Sequence, residues 1–348
     1  MTRDAADRPA PGLTYREAGV DIEAKARLLA DLAPVIAATQ TDAVVAGLGA
    51  FAGALRVSPT DAGYLVATTD GVGTKALLAR RMRRDRVVGA DIVAHCANDL
   101  VAVGARPVAF LDYIAMARLD PAVVRALLDA MAGACRALGV VLLGGETAEM
   151  PGVYRDDACD VVGTMIGLAP ADGLVTGSAI RPGDRLVGLA STGLHTNGYS
   201  LARRVLEQAG LSPDDSVQDL GATVGDALLA PHRCYVPAVL PLLSQGVVHG
   251  IAHITGGGLP DNLSRILPAR CRVRLVPGWP QPAVFRWLQR VGGIPDEEMV
   301  RTFNLGIGMV VIVSPHAAQP VIRHFQRQDI PAFEIGAVGE GPRGVELA

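Results

Sequence analysis

Short apolar runs rich in β-branched residues alternate along the chain with segments whose apolar positions recur every three or four residues. The first pattern predicts strands and the second predicts helices. In the first half, strands are expected at 64–68, 108–115, 140–143 and 161–168, and helices at 88–103 and 121–138. Asp120 is placed to cap the second helix, with Pro121 at its first helical position. The second half repeats the alternation, with strands at 185–190, 247–254 and 306–313. Helices follow at 199–208 (ended by Gly210), 259–267 and 316–328. Between the halves, residues 169–184 collect three Gly and two Pro among short polar residues. This reads as a domain boundary, giving an N-terminal domain at 13–170 and a C-terminal domain at 171–348. Residues 1–12, polar with two Pro, read as a disordered tail. The fold class is α/β in two domains, and a cleft between them is the default ligand site.

The helix at 88–103 carries an unusual polar stripe. Asp91, His95 and Asp99 are spaced i, i+4 and i+8, with Asn98 beside them. At 100° per residue they share roughly a third of the circumference. Ile92, Val93, Cys96, Leu100 and Val103 lie opposite. A wet helix face usually carries long Lys, Glu and Arg, so short Asp, Asn and His side chains point to a functional face. Asp70 follows the first strand, and Glu146 follows the third in Gly144-Gly145-Glu146. Strand ends of α/β sheets meet ligands. Asp70, Asp99 and Glu146 are therefore expected to converge on a hard cation such as Mg²⁺. The pair Gly144 and Gly145 is expected to form a sharp turn there.

Other glycine-rich turns point to anions or close backbone contacts. Gly71-Val72-Gly73-Thr74-Lys75 looks like a P-loop, but its Lys follows Thr and the spacing fails. The segment 191–200, Ser-Thr-Gly-Leu-His-Thr-Asn-Gly-Tyr-Ser, is dense in hydroxyl and amide groups before a helix. Residues 253–262 place three consecutive Gly between a strand and a helix. Gly47 to Gly53 form a weaker Gly-rich stretch.

Composition sharpens one position. Of the 32 basic residues only Lys25 and Lys75 are Lys. Lys and Arg differ most where a compact charge must reach one point, so Lys75 is expected where an ammonium must reach a single oxygen, and Lys25 to lie on the surface. A net charge of −3, with no wide basic stripe, argues against nucleic acid. No apolar run approaches the roughly 20 residues of a membrane span. The five Cys are scattered without a CxxC pair, which fits reduced thiols in a cytoplasm.

Taken in order, these motifs resemble the phosphoribosylformylglycinamidine cyclo-ligase (AIR synthetase) family. The match runs from Tyr15–Ile22 through Asp70–Lys75, Asn98–Leu100, Gly144–Gly152, His195–Leu201 and His253–Asn262 to Arg301–Met309. It departs at Thr192-Gly193-Leu194-His195, where Ser-Gly-Pro-His is commoner, and at Ala50 and Ala52. The resemblance implies ATP-dependent closure of formylglycinamidine ribonucleotide to aminoimidazole ribonucleotide, in purine synthesis. It implies Mg²⁺ on Asp70, Asp99 and Glu146, and Lys75, His195 and Asp261 as catalytic groups, with Lys75 against a phosphate. ATP contacts would come from Gly47, Gly49, Gly71, Gly73, Thr74, Lys75, Asn98, Gly144, Gly145, Asn197, Gly256 and Gly257. It also implies a homodimer whose N-terminal sheets pair into a barrel. Thiamine-monophosphate kinase, of the same superfamily, is the nearest rival; selenophosphate synthetase would need a reactive Cys nearer the N-terminus than Cys96.

Overall fold

The computed structural model describes residues 12–38, 40–47, 49–56 and 63–347. The tail expected at 1–12 lies outside these except for Gly12, and so does the side chain of Lys25. The first half builds α1 (Ile22–Ala37), β1 (Val44–Ala46), β2 (Gly53–Arg56), β3 (Gly63–Gly71), α2 (Lys75–Arg81) and α3 (Asp85–Ala102). It continues with β4 (Arg106–Met116), α4 (Pro121–Leu138), β5 (Val141–Glu149) and β6 (Cys159–Pro170). The strands form one mixed sheet in the order β1-β2-β3-β6-β4-β5, parallel only between β4 and β5.

After a connector come β7 (Arg185–Ala190), α5 (Tyr199–Ala209), the hairpin β8 (Ser216–Val217) and β9 (Ala222–Thr223), α6 (Val224–Leu228) and α7 (Val236–Leu243). Then follow β10 (Val248–His253), α8 (Gly258–Ser264), β11 (Cys271–Leu275), α9 (Ala283–Gly292), α10 (Asp296–Thr302), β12 (Ile307–Val313), α11 (Ala318–Gln326), β13 (Ala332–Glu340) and β14 (Gly344–Leu347). A second sheet runs β10-β12-β7-β13-β11-β14. Its strand β12 is buried at every position, as a continuous apolar run requires.

Local chemistry explains the helix ends. Asp120 Oδ1 accepts from the backbone N–H of Ala122 and Val123 at 3.0 and 3.3 Å, which starts α4. Gly139 stops it in a left-handed conformation at φ 66°. Helix α3 sits at the centre of the chain. One side packs on β3, β4, β6 and α4, and the other meets β10 and α7 of the second half. The stripe of Asp91, His95, Asn98 and Asp99 is therefore not wet, because all four residues are buried.

The Gly144–Gly145 turn is corrected by the structure, which carries both residues within β5. The register slips at Leu143, and Gly145 then lies opposite Asp112. A Cβ on Gly145 would fall 2.3 Å from Asp112 Oδ1, so the glycine makes room for a neighbouring side chain and the strand runs on.

The first sheet has a covered and an uncovered face. Val66, Phe110, Ile114, Val161 and Met165 are buried on the α3 side. On the other side Leu111, Tyr113, Val162, Thr164 and Ile166 are half-buried, and Leu168 is exposed.

Candidate active site

The site begins with Lys75 at the first residue of α2. Its side chain is wholly buried, and Nζ lies 2.5 Å from Asp91 Oδ2 on α3. It also donates to the carbonyls of His195 at 2.7 Å and Ala230 at 3.0 Å. An ammonium offers three donors from one point, and here each has a partner inside the protein. The phosphate contact expected of Lys75 is thus replaced by a carboxylate and two carbonyls. Burial pulls the Lys75 pKa down and pushes that of Asp91 up, each opposed by attraction to the other.

Asp91 Oδ1 accepts from the His232 N–H at 2.8 Å. Further along the stripe, Asn98 Oδ1 accepts from the Tyr235 N–H at 2.8 Å, and its Nδ2 donates to the Arg233 carbonyl at 2.8 Å. Those two backbone bonds fix the amide, so its Nδ2 also faces His232 Nε2 at 3.2 Å as a donor. Asn98, expected on a nucleotide, instead holds the 233–235 backbone. Asp99 Oδ1 accepts from His253 Nδ1 at 2.8 Å, at the end of β10.

His95 joins the acidic groups. Its Nε2 lies 2.8 Å from Asp70 Oδ2 and 4.0 Å from Asp99 Oδ2, so the two carboxylates flank one ring nitrogen. Its Nδ1 lies 2.6 Å from Thr196 Oγ1. Burial disfavours the imidazolium, but Asp70, with Asp99 and Asp91 behind it, outweighs that and raises the His95 pKa to about 9. Burial likewise pushes Asp70 up, while His95 and the Gly71 N–H hold its pKa down at about 2. Asp70 remains half-exposed at the end of β3 and is open to a ligand.

His195 is enclosed. Its ring stacks on His232 with centroids 4.1 Å apart, and its backbone is left-handed at φ 60°, with its carbonyl on Lys75. A Cβ on Gly308 would fall 2.4 Å from His195 Cε1, so glycine there makes room for the ring. Burial, then the charges of neighbouring residues, pull the pKa values of His195 and His232 well below the ordinary imidazole value, which keeps both neutral. The sets His195–His232–His253 and His95–Asp99–His253 each bring three ligand atoms within 4.8 Å. Neither suits a soft metal. The stacked rings of His195 and His232 do not aim their in-plane lone pairs at one point, and in the second set His253 Nδ1 already donates to Asp99.

The loop residues divide into two groups. Asn197 and Gly256 are adjacent, since a Cβ on Gly256 would lie 3.4 Å from Asn197 Oδ1. Gly257 is left-handed at φ 94°, with Asp261 packed against it; Asp261 itself is exposed. Buried Asn262 organises this loop by donating to the Gly258 carbonyl at 2.7 Å. Gly71, Gly73 and Thr74 lead from Asp70 into α2, and Thr74 Oγ1 lies 3.1 Å from Ser200 Oγ beside a 480 Å³ cavity.

Glu146 does not join this group. Asp70, Gly163, Asp112 and Gly145 form one row across the sheet, so β5 lies three strand spacings from β3, about 14 Å. Glu146 is in the next row and, by the pleat, on the uncovered face with Tyr113, as is Gly144. The convergence of Asp70, Asp99 and Glu146 is therefore corrected, within one chain, to Asp70 and Asp99. Gly47 and Gly49 lie between β1 and β2, at the sheet edge.

Residues 42–169 match the family model "AIR synthase related protein, N-terminal domain", and residues 181–347 match its C-terminal counterpart. The chain is 44% identical over 338 residues to the phosphoribosylformylglycinamidine cyclo-ligase of Citrifermentans bemidjiense, covering 96% of this chain and 97% of that one. The chain belongs to the phosphoribosylformylglycinamidine cyclo-ligase family. It is thus a ligase of purine biosynthesis that closes the ring of its namesake substrate. The chloroplastic/mitochondrial cyclo-ligase of Vigna unguiculata is 45% identical over 331 residues, 95% of this chain and 82% of that one. A crystal structure of a Thermus thermophilus protein shares the fold at TM-score 0.64 and 23% identity, over 93% and 96% of the two chains.

The geometry also brings together Asp91, His232, His253 and Thr196, to which the sequence motifs assign no role. The signal for them is the stripe on α3: a buried row of short polar side chains needs polar partners from elsewhere in the fold.

This geometry sets two expectations. Lys75→Met leaves Asp91 buried without its cation and should lower stability by about 3–5 kcal/mol in denaturant titrations. Lys75→Met with Asp91→Leu should recover part of that, and a single-variant loss near zero would contradict the pairing. The second concerns pH. His95 has its pKa raised from 6.5 to about 9, so its stabilisation is full below pH 6.5 and fades as pH rises through 9. In Mg²⁺-free buffer the stability gap between wild type and His95→Gln should narrow from pH 7 to pH 10. A gap independent of pH would show that the ring is neutral throughout.

Proposed function

We propose that ring closure takes place where β3, α3 and the loops at 191–198 and 254–261 meet, with ATP as the phosphoryl donor and Mg²⁺ bound at Asp70 and Asp99. The observation that carries this reading is the placement of these two carboxylates on either side of His95, one half-exposed and one anchored by His253. Mg²⁺ takes one or two carboxylates together with phosphate oxygens and water, and hard oxygen donors of this kind fit it. When bound, the ion would neutralise charge on the transferring phosphoryl group.

The formamide oxygen of formylglycinamidine ribonucleotide is a poor leaving group. Phosphorylation by ATP converts it to phosphate, and the amidine nitrogen then forms the new C–N bond. The products are aminoimidazole ribonucleotide, ADP and phosphate. The protein's part is largely positioning. Gly256 and Gly257 let the backbone approach the ligand, with the Asn197 amide beside them. Gly71, Gly73 and Thr74 line the turn next to Asp70, and the cavity at Thr74 gives room for a nucleotide. Asp261, exposed beside Gly257, is the candidate for the proton lost at ring closure. The enclosed His195 and the ion-paired Lys75 hold the loops in place.

The domain division is at 13–170, for nucleotide, metal and dimer contacts, and 171–348, which completes the cleft. The uncovered face of the first sheet supports homodimerisation. It carries Leu111, Ile166 and Leu168, and the edge strand adds exposed Val141 and Leu143. Gly144 and Glu146 would then face the second copy, and the Gly47–Gly49 turn would lie at the rim. No described helix is long and apolar enough to cross a membrane. The five cysteines are all free and mostly buried, which supports a reducing cytoplasm.

Purified protein with ATP, Mg²⁺ and formylglycinamidine ribonucleotide should release ADP only when that substrate is present. Asp99→Asn should raise the Mg²⁺ concentration needed for half-maximal rate at least tenfold. ADP release that ignores the substrate would contradict the activity, and an unchanged Mg²⁺ requirement would remove Asp99 from the metal.

A further inference from the structure

Both acidic groups of the proposed metal site belong to the first half of the chain, yet both are aimed by residues of the second half. Asp99 is held directly by His253. Asp70 is held through His95, whose ring is fixed at both nitrogens by Asp70 on Nε2 and Thr196 Oγ1 on Nδ1. The ring is buried, so it has no water with which to replace either partner. Thr196 sits on the turn between β7 and α5, and its hydroxyl is a hub. It lies 2.6 Å from His95 Nδ1, 3.4 Å from His232 Nδ1 and 3.5 Å from the Asn197 amide nitrogen, which can only donate to it.

We infer that Thr196 is a positioning residue for the metal site, setting the orientation of Asp70 through His95. This rests on the assignment of Asp70 to the metal. Thr196 touches neither the metal nor the reacting atoms. Its hydroxyl fixes which way the His95 ring faces, and the ring fixes which oxygen of Asp70 turns toward the protein. The other carboxylate oxygen takes the Gly71 N–H at 2.7 Å, so the group is held at both ends. Partners that orient a metal ligand in this way matter to affinity: their loss costs on the order of 10–100-fold. The same hydroxyl receives the Asn197 amide, which stands beside Gly256 where a nucleotide would bind. A ligand that engages Asn197 therefore acts on the group that orients Asp70.

The test is calorimetric titration of Mg²⁺ into the ADP-saturated protein, comparing wild type, Thr196→Val, Thr196→Ser and Asp70→Asn. Valine keeps the shape and removes the hydroxyl, and serine keeps the hydroxyl. Thr196→Val should weaken Mg²⁺ binding about tenfold. Thr196→Ser should stay within about twofold of wild type, and Asp70→Asn should lose binding altogether. In turnover assays Thr196→Val should lower kcat at fixed Mg²⁺ and leave the KM for the ribonucleotide unchanged, which a general loosening of the fold would not do. If Thr196→Val does not fold, Thr196→Ala takes its place. Normal Mg²⁺ affinity in a folded Val or Ala variant overturns the inference while Asp70 remains a ligand. A serine variant as weak as valine overturns it as well, because the methyl group and not the hydroxyl would then be what matters. If Asp70→Asn binds Mg²⁺ normally, the metal assignment itself falls and takes this inference with it.

Discussion

The Lys75–Asp91 ion pair is the constraint on which the rest of the site depends. It lies wholly inside the protein, and a buried ion pair is not in itself a source of stability, because desolvation offsets much of the attraction. What it contributes is position. Lys75 draws in the carbonyls of residues 195 and 230, and Asp91 draws in the N–H of residue 232. Two loops of the second half are thereby pinned to two helices of the first. Once residues 195 and 232 are placed, so are Thr196, the stacked rings of His195 and His232, and the ring of His95 between its partners. A shifted apolar contact at this seam could slide at little cost. A shifted hydrogen bond would leave a buried polar group unpaired, at a cost of about 1–3 kcal/mol.

This arrangement suits a reaction that asks the protein mainly to hold two substrates in line. Phosphoryl transfer and ring closure need charge placed where it develops and reacting atoms kept in contact. The carboxylates come from the first half, and the groups that aim them come from the second. A site assembled this way is complete only when the halves are docked. The glycines at 256–258 serve the same end, since a Cβ on Gly258 would fall 1.9 Å from the Val300 carbonyl oxygen and push the loop out of place.

Much of the fold was legible in the sequence because it is written in local periodicity. Strands β3, β4, β6, β7, β10 and β12, and the helices α4 and α5 with Asp120 and Gly210 at their ends, follow from apolar spacing and capping chemistry, whereas β11 and β13 of the second sheet were not singled out. The stripe on α3 was visible as unusual for the same reason. Its destination was not, since spacing says which residues share a face and not what covers that face. Lys75 shows the same limit. The scarcity of lysine marked a place needing a compact ammonium, but a count of residues cannot distinguish a phosphate from a carboxylate with two carbonyls. Glu146 shows a different limit. Two glycines in a row read as a turn, whereas here the slip at Leu143 and the space needed by Asp112 make them part of a strand, which puts Glu146 on the other face. Asp112 and His232 carry no local signature, and Thr196 shows only as one hydroxyl of the 191–200 segment, because their contacts exist only in the folded chain.

If the polar seam centred on Lys75 and Asp91 welds the two halves into one unit, the protein should melt as one. Differential scanning calorimetry of the metal-free wild-type chain tests this directly. The account predicts a single endotherm whose calorimetric and van't Hoff enthalpies agree, and two resolved endotherms for Asp91→Asn. Two separate endotherms in the wild type would contradict it, because the halves would then unfold independently with the seam intact.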